Sequence, residues 1–312
     1  MSNIITLTFS PCIDKSTNVA VLSPDIKMNC TSVKEEPGGG GINVARALYR
    51  LGCVAKAMYV SGGCTGKKFD LLMQNENIAT LVIPGINETR ENITILDESN
   101  NKQYRLGMPM APLIKSEYEQ FLFQLEALDD VTFIIVSGSV PPGVPLSIYA
   151  QISAIAVKKK AKLIVDTKGD ALKHAVEAGV FLIKPNLGEL SALAGKKELL
   201  PHEIKTEARV LIESGKCQVV VISMGAEGAM LVTSSISRQI KPPIIERKST
   251  VGAGDSMVAG IVYALNQGNQ LTEAVKYGVA CGTATTLNPG TELCRKEDVE
   301  NLLPHITLID LD

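Results

Sequence analysis

The sequence predicts an α/β protein of three layers, with helices on both faces of a mainly parallel central sheet and a small β-sheet projecting from the body as a lid. Three observations carry this expectation. From Phe133 onward, short all-apolar runs alternate with helical stretches, and strands apolar on both faces belong to parallel sheets covered on both sides. Polar residues and glycines collect just after those runs, where such sheets bind ligands. Lys15 to Val33 is extended and polar, with Pro24 and few apolar residues, so it cannot bury itself in the body.

Ile4 to Phe9 reads as the first strand, ended by Ser10-Pro11, with Asp14 just beyond it. Gly38 to Gly41 lead into an amphipathic helix, Ile42 to Leu48, closed by Gly52, a usual helix terminator. Ala55 to Val60 reads as a strand and Phe69 to Gln74 as a helix. Leu81 to Ile83, Asn92 to Leu96 and Gln103 to Leu106 read as short strands of the projecting sheet. The expected organisation is one domain over 1–312, with the lid inserted from about 15–36 and 80–107. Strands are then expected at Phe133–Val136, Leu163–Asp166, Phe181–Asn186 and Val219–Ile222. Helices are expected at Leu146–Val157, Asp170–Ala178, Glu189–Leu193, Glu203–Ser214, Thr272–Thr286 and Lys296–Leu303. Ile240 to Ile245 reads as a strand leading, through a tight turn, into a helix from Met257 to Leu265.

Composition narrows the function. A chain of 312 residues with 45% hydrophobic and 21% charged residues fits one large α/β domain with a small appendage. A net charge of −2 supplies no field for nucleic acid or an anionic membrane. No apolar run reaches the ~20 residues of a membrane span. The start, Met1-Ser2-Asn3-Ile4, lacks the basic region of a signal peptide. Seven scattered cysteines without metal spacing fit reduced thiols in a cytoplasm. Three widely separated histidines, His174, His202 and His305, argue against a His-based zinc site or a His-centred triad. Lys158-Lys159-Lys160 reads as a solvated helix end.

The stretch Ser249-Thr250-Val251-Gly252-Ala253-Gly254-Asp255-Ser256 carries the sharpest signal. A glycine turn opening a helix leaves unpaired N–H groups aimed outward, and with the helix dipole these attract an anion such as phosphate. Asp255 is a second anion among those donors, and a general base is the role that explains it. An Asp in a first turn also favours helix initiation by itself. Two other phosphate loops fail. In Gly62-Gly63-Cys64-Thr65-Gly66-Lys67-Lys68, Ser61 stands where a Walker loop has its first Gly and Lys68 where it has Ser or Thr. After Gly252 and Gly254, Met257 occupies the third glycine position of a dinucleotide fingerprint.

Two widely separated signatures remain: Gly38-Gly39-Gly40-Gly41-Ile42-Asn43-Val44-Ala45-Arg46 with Leu51-Gly52, and Ser249 to Asp255. Together they resemble the ribokinase-like, or PfkB, family of carbohydrate kinases, over nearly the whole chain to about Leu293. Thr6-Leu7-Thr8, Glu36-Pro37, Gln103-Tyr104-Arg105, Ser137-Gly138-Ser139 with Pro141-Pro142-Gly143, Lys184-Pro185-Asn186 with Glu189, Ser223-x-Gly225-x-x-Gly228-Ala229 and Ala284 to Asn288 add to the likeness. It is densest with members that phosphorylate O1 of fructose 6-phosphate. Met110 departs from it, where a Gly is usual, and Asn29 stands where a basic residue would fit.

The resemblance implies a ribokinase-like fold and a role for each matched residue. Asp255 is expected to take the proton from the attacking sugar hydroxyl, while the N–H groups of Gly252, Ala253 and Gly254 hold charge on the moving phosphoryl group. Asp14, Gly39, Gly40 and Asn43 are expected at the sugar, and Arg90, Ser139 and Lys27 at its phosphate. In isolation Asp14 reads as a turn residue after Pro11, Gly39 and Gly40 as a loop before a helix, and Arg90 as a surface residue. Lys184, Asn186 and Glu189 are expected at the nucleotide phosphates and Mg2+, the last two partly through water; by themselves they read equally as a helix cap with its third-position Glu. Ser223, Gly225 and Gly228 would shape the ATP cradle. Ser249, Val251, Asn288 and Gly290 would hold a monovalent cation such as K+. The implied reaction uses ATP to convert fructose 6-phosphate to fructose 1,6-bisphosphate in glycolysis. Fructose 1-phosphate and tagatose 6-phosphate are alternative acceptors, and a non-catalytic sugar-phosphate sensor is the alternative from another class. Exposed apolar residues on the lid, Val19, Val21 and Ile93, point to a homodimer formed through the lid sheets.

Overall fold

The computed structural model describes residues 4–311; Met1, Ser2, Asn3 and Asp312 lie outside them. The chain runs β1 (Ile4–Thr8), β2 (Cys12–Val19), β3 (Val33–Gly38), α1 (Gly40–Arg50), β4 (Lys56–Gly62), α2 (Gly63–Asn75), β5 (Ala79–Gly85), β6 (Arg90–Asp97) and β7 (Lys102–Leu106). It continues with α3 (Lys115–Ala127), β8 (Phe133–Ser137), α4 (Ile148–Lys159), β9 (Lys162–Asp166), α5 (Gly169–Ala178), β10 (Val180–Ile183), α6 (Leu187–Leu193), α7 (Pro201–Glu213) and β11 (Cys217–Ser223). It closes with β12 (Ala229–Val232), β13 (Ser237–Lys241), α8 (Ala253–Asn266), α9 (Leu271–Thr286), α10 (Lys296–Leu302) and β14 (Thr307–Asp310).

The strands form a ten-stranded sheet, ordered β14-β13-β12-β11-β10-β9-β8-β1-β4-β5, and a four-stranded sheet, ordered β3-β2-β6-β7. From β11 to β5 every pairing is parallel, and β12, β13 and β14 add an antiparallel edge. Alternate residues of each central strand face opposite sides. Ile135, Ile164, Leu182 and Val221 pack on one side with α1, α8 and α9. Ile134, Val165, Ile183 and Val220 pack on the other with α3, α4, α5 and α7. This double burial explains why the strands read as unbroken apolar runs. Helix α8 is apolar on nearly all sides, with Ser256 through Val262 buried, because it lies inside its helical layer rather than on the surface.

Several sequence expectations are corrected here. Leu81–Ile83 does not join the small sheet; it lies in β5 and pairs parallel with β4, Tyr59 opposite Val82, at the edge of the large sheet. The small sheet therefore takes its strands from 12–19, 33–38 and 90–106. Residues 20–32 lie between β2 and β3 outside any strand. The strand expected over Ile240–Ile245 ends at Lys241, because Pro242 and Pro243 have no N–H to donate to a ladder. Helix α3 and strands β12 and β14 were not anticipated. Only Glu117, Phe121 and Leu125 of α3 are buried, so its apolar stripe is one residue wide. Val19 is buried rather than exposed; its carbonyl accepts the Glu98 N–H at 3.0 Å, beside the tip of the β6–β7 hairpin. The glycines of 62–66 start α2, but the Glu88 carboxylate accepts the N–H groups of Cys64 and Thr65 at 3.0 and 2.9 Å, so that helix start already holds an internal anion.

Candidate active site

The site forms along the carboxyl ends of the parallel strands, where chain segments diverge and leave a crevice. Residue 252 must adopt φ 74°, a left-handed conformation that glycine takes without strain. That turn starts α8 and directs the Asp255 side chain across the crevice. The Asn43 amide, from the first turn of α1, donates to Asp255 Oδ2 at 2.9 Å. The Ser137 hydroxyl, at the end of β8, donates to Oδ1 at 3.2 Å. Burial, and then the negative charge of Asp166, push the Asp255 carboxyl up to about 7, against the lowering effects of Asn43, Lys184 and Ser137. A base poised near neutrality is what proton transfer from a hydroxyl requires.

Beside the same turn, buried Lys184 lies 3.2 Å from Asp166 Oδ1. Burial works against the Lys184 ammonium, yet Asp166, Asp255 and Glu189 together hold its pKa above the ordinary value, so it stays charged. A side chain at position 254 would come within 3.3 Å of Lys184 Nζ, which places the ammonium directly against the turn. Among the described residues the N–H groups of Gly252 and Gly254 find no backbone acceptor, whereas Ala253 N–H reaches Thr250 O at 3.4 Å. Free N–H groups and a fixed cation therefore face one small volume, an arrangement suited to a phosphoryl group.

From this point the crevice opens two ways. One way leads into a cavity of about 380 Å3, within the range of small-ligand pockets. Ser223, Gly225 and Gly228 line it, with Pro242, Ile245 and Met257 giving apolar wall. Ala253 and Gly254 close its inner end.

The other way leads to the small sheet. Gly39 caps α1, and a side chain there would press on Thr8 and Pro11; one at Gly40 would collide with Ser137 and Gly138. Asp14 on β2 pairs in register with Asn92 on β6, and Cys12 with Arg90. The Asn92 amide donates to Asp14 Oδ1 at 3.0 Å. Arg90 donates at long range to the carbonyls of Met108 (3.3 Å) and Ser10 (3.4 Å), while its Nε is buried without a partner. Its guanidinium thus keeps donor capacity. Ser139 is half-buried, two residues beyond Ser137. Lys27 is exposed on the β2–β3 connection, and among the described residues no contact ties it to Asp14 or Arg90.

Asn186 and Glu189 form the reciprocal cap that the sequence allowed. Asn186 Oδ1 accepts the Glu189 N–H and Glu189 Oε2 accepts the Asn186 N–H, both at 2.8 Å. Asn186 is exposed and Glu189 half-buried at the crevice edge. Among the described residues no group of three His, Cys, Asp or Glu is placed to hold a metal. Behind the turn, Ser249 Oγ donates to Gly290 O at 2.6 Å, and the Val251 N–H donates to Ser249 Oγ at 3.3 Å. Buried Asn288 sits in the same 286–291 segment. Ser249 Oγ, Gly290 O and the Val251 backbone thus lie together behind the turn.

Sequence reasoning did not assign Ser137, Asp166 or Asn92 to the site. Ser137 and Asp166 are the last residues of β8 and β9. Their position, a polar residue ending an apolar strand, was the available signal. Asn92 carried none, because its partner Asp14 is brought to it only by sheet register.

A buried carboxylate at a helix start, between a cavity of small-ligand size and a polar strand pair, is the arrangement of a small-molecule phosphotransferase. The chain belongs to the pfkB family of carbohydrate kinases, whose profile matches residues 7–298. It has the ribokinase-like fold that its signatures imply. The chain is 39% identical to ATP-dependent 6-phosphofructokinase isozyme 2 of Escherichia coli (strain K12), over 98% of this chain and 100% of that one. It is 32% identical to a 1-phosphofructokinase of Borreliella burgdorferi, over 99% of each. The crystal structure of the Escherichia coli phosphofructokinase-2 with potassium matches with a TM-score of 0.94 at 39% identity, over 97% of this chain and 99% of that one. The structure of that enzyme with fructose 6-phosphate matches with a TM-score of 0.92 at 38% identity, over the same shares.

Proposed function

We propose that this protein is an ATP-dependent 6-phosphofructokinase, moving the γ-phosphoryl group of ATP to O1 of fructose 6-phosphate in glycolysis. The observation that carries the chemistry is the Asp255 carboxylate, held by Asn43 and Ser137 where cavity and strand pair meet. Higher identity to a 6-phosphofructokinase than to a 1-phosphofructokinase supports the acceptor. Asp255 takes the O1 proton as O1 bonds to the γ-phosphorus; the β–γ bridging bond breaks and ADP leaves. The Gly252 and Gly254 N–H groups, with Ala253 between them, and Lys184 face the charge on the moving group. Asp14, Gly39, Gly40 and Asn43 orient the sugar, and Arg90 and Ser139, with Lys27, hold its phosphate. Ser223, Gly225 and Gly228 form the ATP cradle.

Bound Mg2+ neutralises phosphate charge; Asn186 and Glu189 would hold it, partly through water. K+ would sit among the oxygens of Ser249, Val251, Asn288 and Gly290, and the relative's complex with potassium supports this reading. The acceptor is tested by comparing kcat/KM for fructose 6-phosphate, fructose 1-phosphate and tagatose 6-phosphate. Fructose 6-phosphate should lead by at least ~10-fold, the scale of one or two discriminating hydrogen bonds. A preference for fructose 1-phosphate overturns the assignment, and ATP turnover with none of the three favours a sensor.

We also infer a homodimer through the small sheets, each acting as a lid over the sugar. Val21, Val33 and Leu106 remain exposed on or beside that sheet, while Ile93 is half-buried, and such patches need cover. The Escherichia coli relative has a tetrameric inhibited form, which supports self-association. Light scattering should give twice the mass of 33.3 kDa or a multiple of that; a monodisperse monomer counts against it. A cytoplasmic setting is supported by seven free cysteines. No helix of the described residues is long and apolar enough to cross a membrane.

A further inference from the structure

We propose that Asn92 is the positioning residue that sets the separation between the two ends of the phosphosugar site, the Asp14 carboxylate and the Arg90 guanidinium. The inference rests on the sugar-kinase reading above and adds a residue to it. Cys12 and Asp14 are two apart on β2, and therefore on one face, and their register partners on β6 are Arg90 and Asn92. Asn92 uses both halves of its amide. Its Nδ2 donates to Asp14 Oδ1 at 3.0 Å and to Cys12 Sγ at 3.1 Å. Its Oδ1 accepts the Met108 N–H at 3.2 Å.

Each bond reaches a different part of the site. The Cys12 thiol itself donates to Asp14 Oδ1 at 3.3 Å, so one carboxylate oxygen is held from two sides. That leaves Oδ2 for a ligand hydroxyl. Gly38 lies next to Oδ2, and any side chain at position 38 would collide with the carboxylate. At the other end, the Met108 residue whose N–H Asn92 holds is the one whose carbonyl accepts Arg90 Nη1. Met108 follows β7 and belongs to no strand, so this amide bond ties it to the ladder. One side chain thereby fixes the hydroxyl reader directly and the phosphate grip through the backbone of a single residue, Met108. The ATP cavity shares none of these groups, so the effect of Asn92 should fall on the sugar phosphate alone.

The test is steady-state kinetics on Asn92→Asp and Asn92→Ala. Asn92→Asp keeps the shape and the acceptor for Met108 but replaces the donor facing Asp14 with a repelling oxygen; Asn92→Ala removes both bonds without adding charge. Losing a hydrogen bond to a charged group predicts a KM for fructose 6-phosphate about 10- to 100-fold higher. The KM for ATP should stay within about twofold, with melting transitions close to the parent's. A purely structural role would instead shift both KM values and the melting transition together. The proposal is overturned by an unchanged sugar KM, by equal rises in both KM values, or by failure of both variants to fold. Turnover of fructose 6-phosphate by the unmodified chain is measured first. Its absence defeats the proposed activity, whereas an active parent with unshifted variants defeats only the role of Asn92.

Discussion

Replacing Asp255 by Asn should lower kcat by about 10²–10⁴-fold, the usual contribution of a positioned general base, while both substrates still bind. The amide matches the carboxylate in shape and keeps an acceptor for Asn43 or Ser137, but it cannot take a proton. In the parent, activity should fall as pH drops below about 7, because burial and the Asp166 charge hold the Asp255 carboxyl protonated up to that range. The base is active only when ionised, so the acid limb of the kcat/KM profile belongs to it, and Asp255→Asn should remove that limb from its residual rate. Stability moves the opposite way. The folded value lies above the ordinary 3.8, so stability present below the ordinary carboxylate range declines as pH rises toward 7. Asp255→Asn should therefore melt no lower than the parent at pH 8. Full activity in the variant would refute the base assignment, and a lower melting transition would point to a structural role instead.

Replacing Arg46 by Met should destabilise the fold by about 3–5 kcal/mol, the scale for stripping one partner from a buried ion network. Arg46 is buried in α1 beneath the glycine segment that leads to Asn43. It donates to both oxygens of Glu76 at 2.7 and 2.6 Å, to Pro37 O at 2.8 Å and to Glu36 Oε1 at 3.2 Å. Burial alone would raise the Glu36 carboxyl, but the Thr291 hydroxyl, Arg46 and Lys34 outweigh it and hold it below its usual range. Without Arg46, Glu36 keeps Thr291 but loses its buried cationic partner, and the Pro37 carbonyl loses the guanidinium that donates to it. The midpoint of denaturant unfolding reads the effect. It should be larger than that of removing the exposed Lys34, which pairs with Glu36 at 3.1 Å from the surface. A midpoint within that of Lys34→Ala would show that Arg46 does not hold this network together. Glu36 also accepts from Thr291, beside Gly290, so the same variant should weaken dependence on a monovalent cation.

Most of the architecture could be read from periodicity. The runs at Phe133, Leu163, Phe181 and Val219 are strands because a sheet covered on both faces leaves no place for polar residues within them. The turn at Gly252 could be read because only a few residue types tolerate its backbone and because Asp255 is an odd neighbour for an anion site. The elements that escaped reading share one physical cause, weak local contrast. Helix α3 buries three residues, and β14 is exposed throughout. Leu81–Ile83 reads as a strand in either sheet, since its apolar pattern says that it pairs but not with which partner.

What the amino-acid order settled by itself was the class of fold, the glycine turn with its carboxylate, and which residue types were available for sugar, nucleotide and cation. What only the folded chain decided was who meets whom. Asn43 and Ser137 are 212 and 118 residues from Asp255 in sequence, and Asn92 reaches Asp14 across 78. Local propensity acts over a few residues, whereas these contacts arise from sheet order and register. The raised pKa of Asp255 has the same origin, because it depends on burial and on charges that distant strands bring to it.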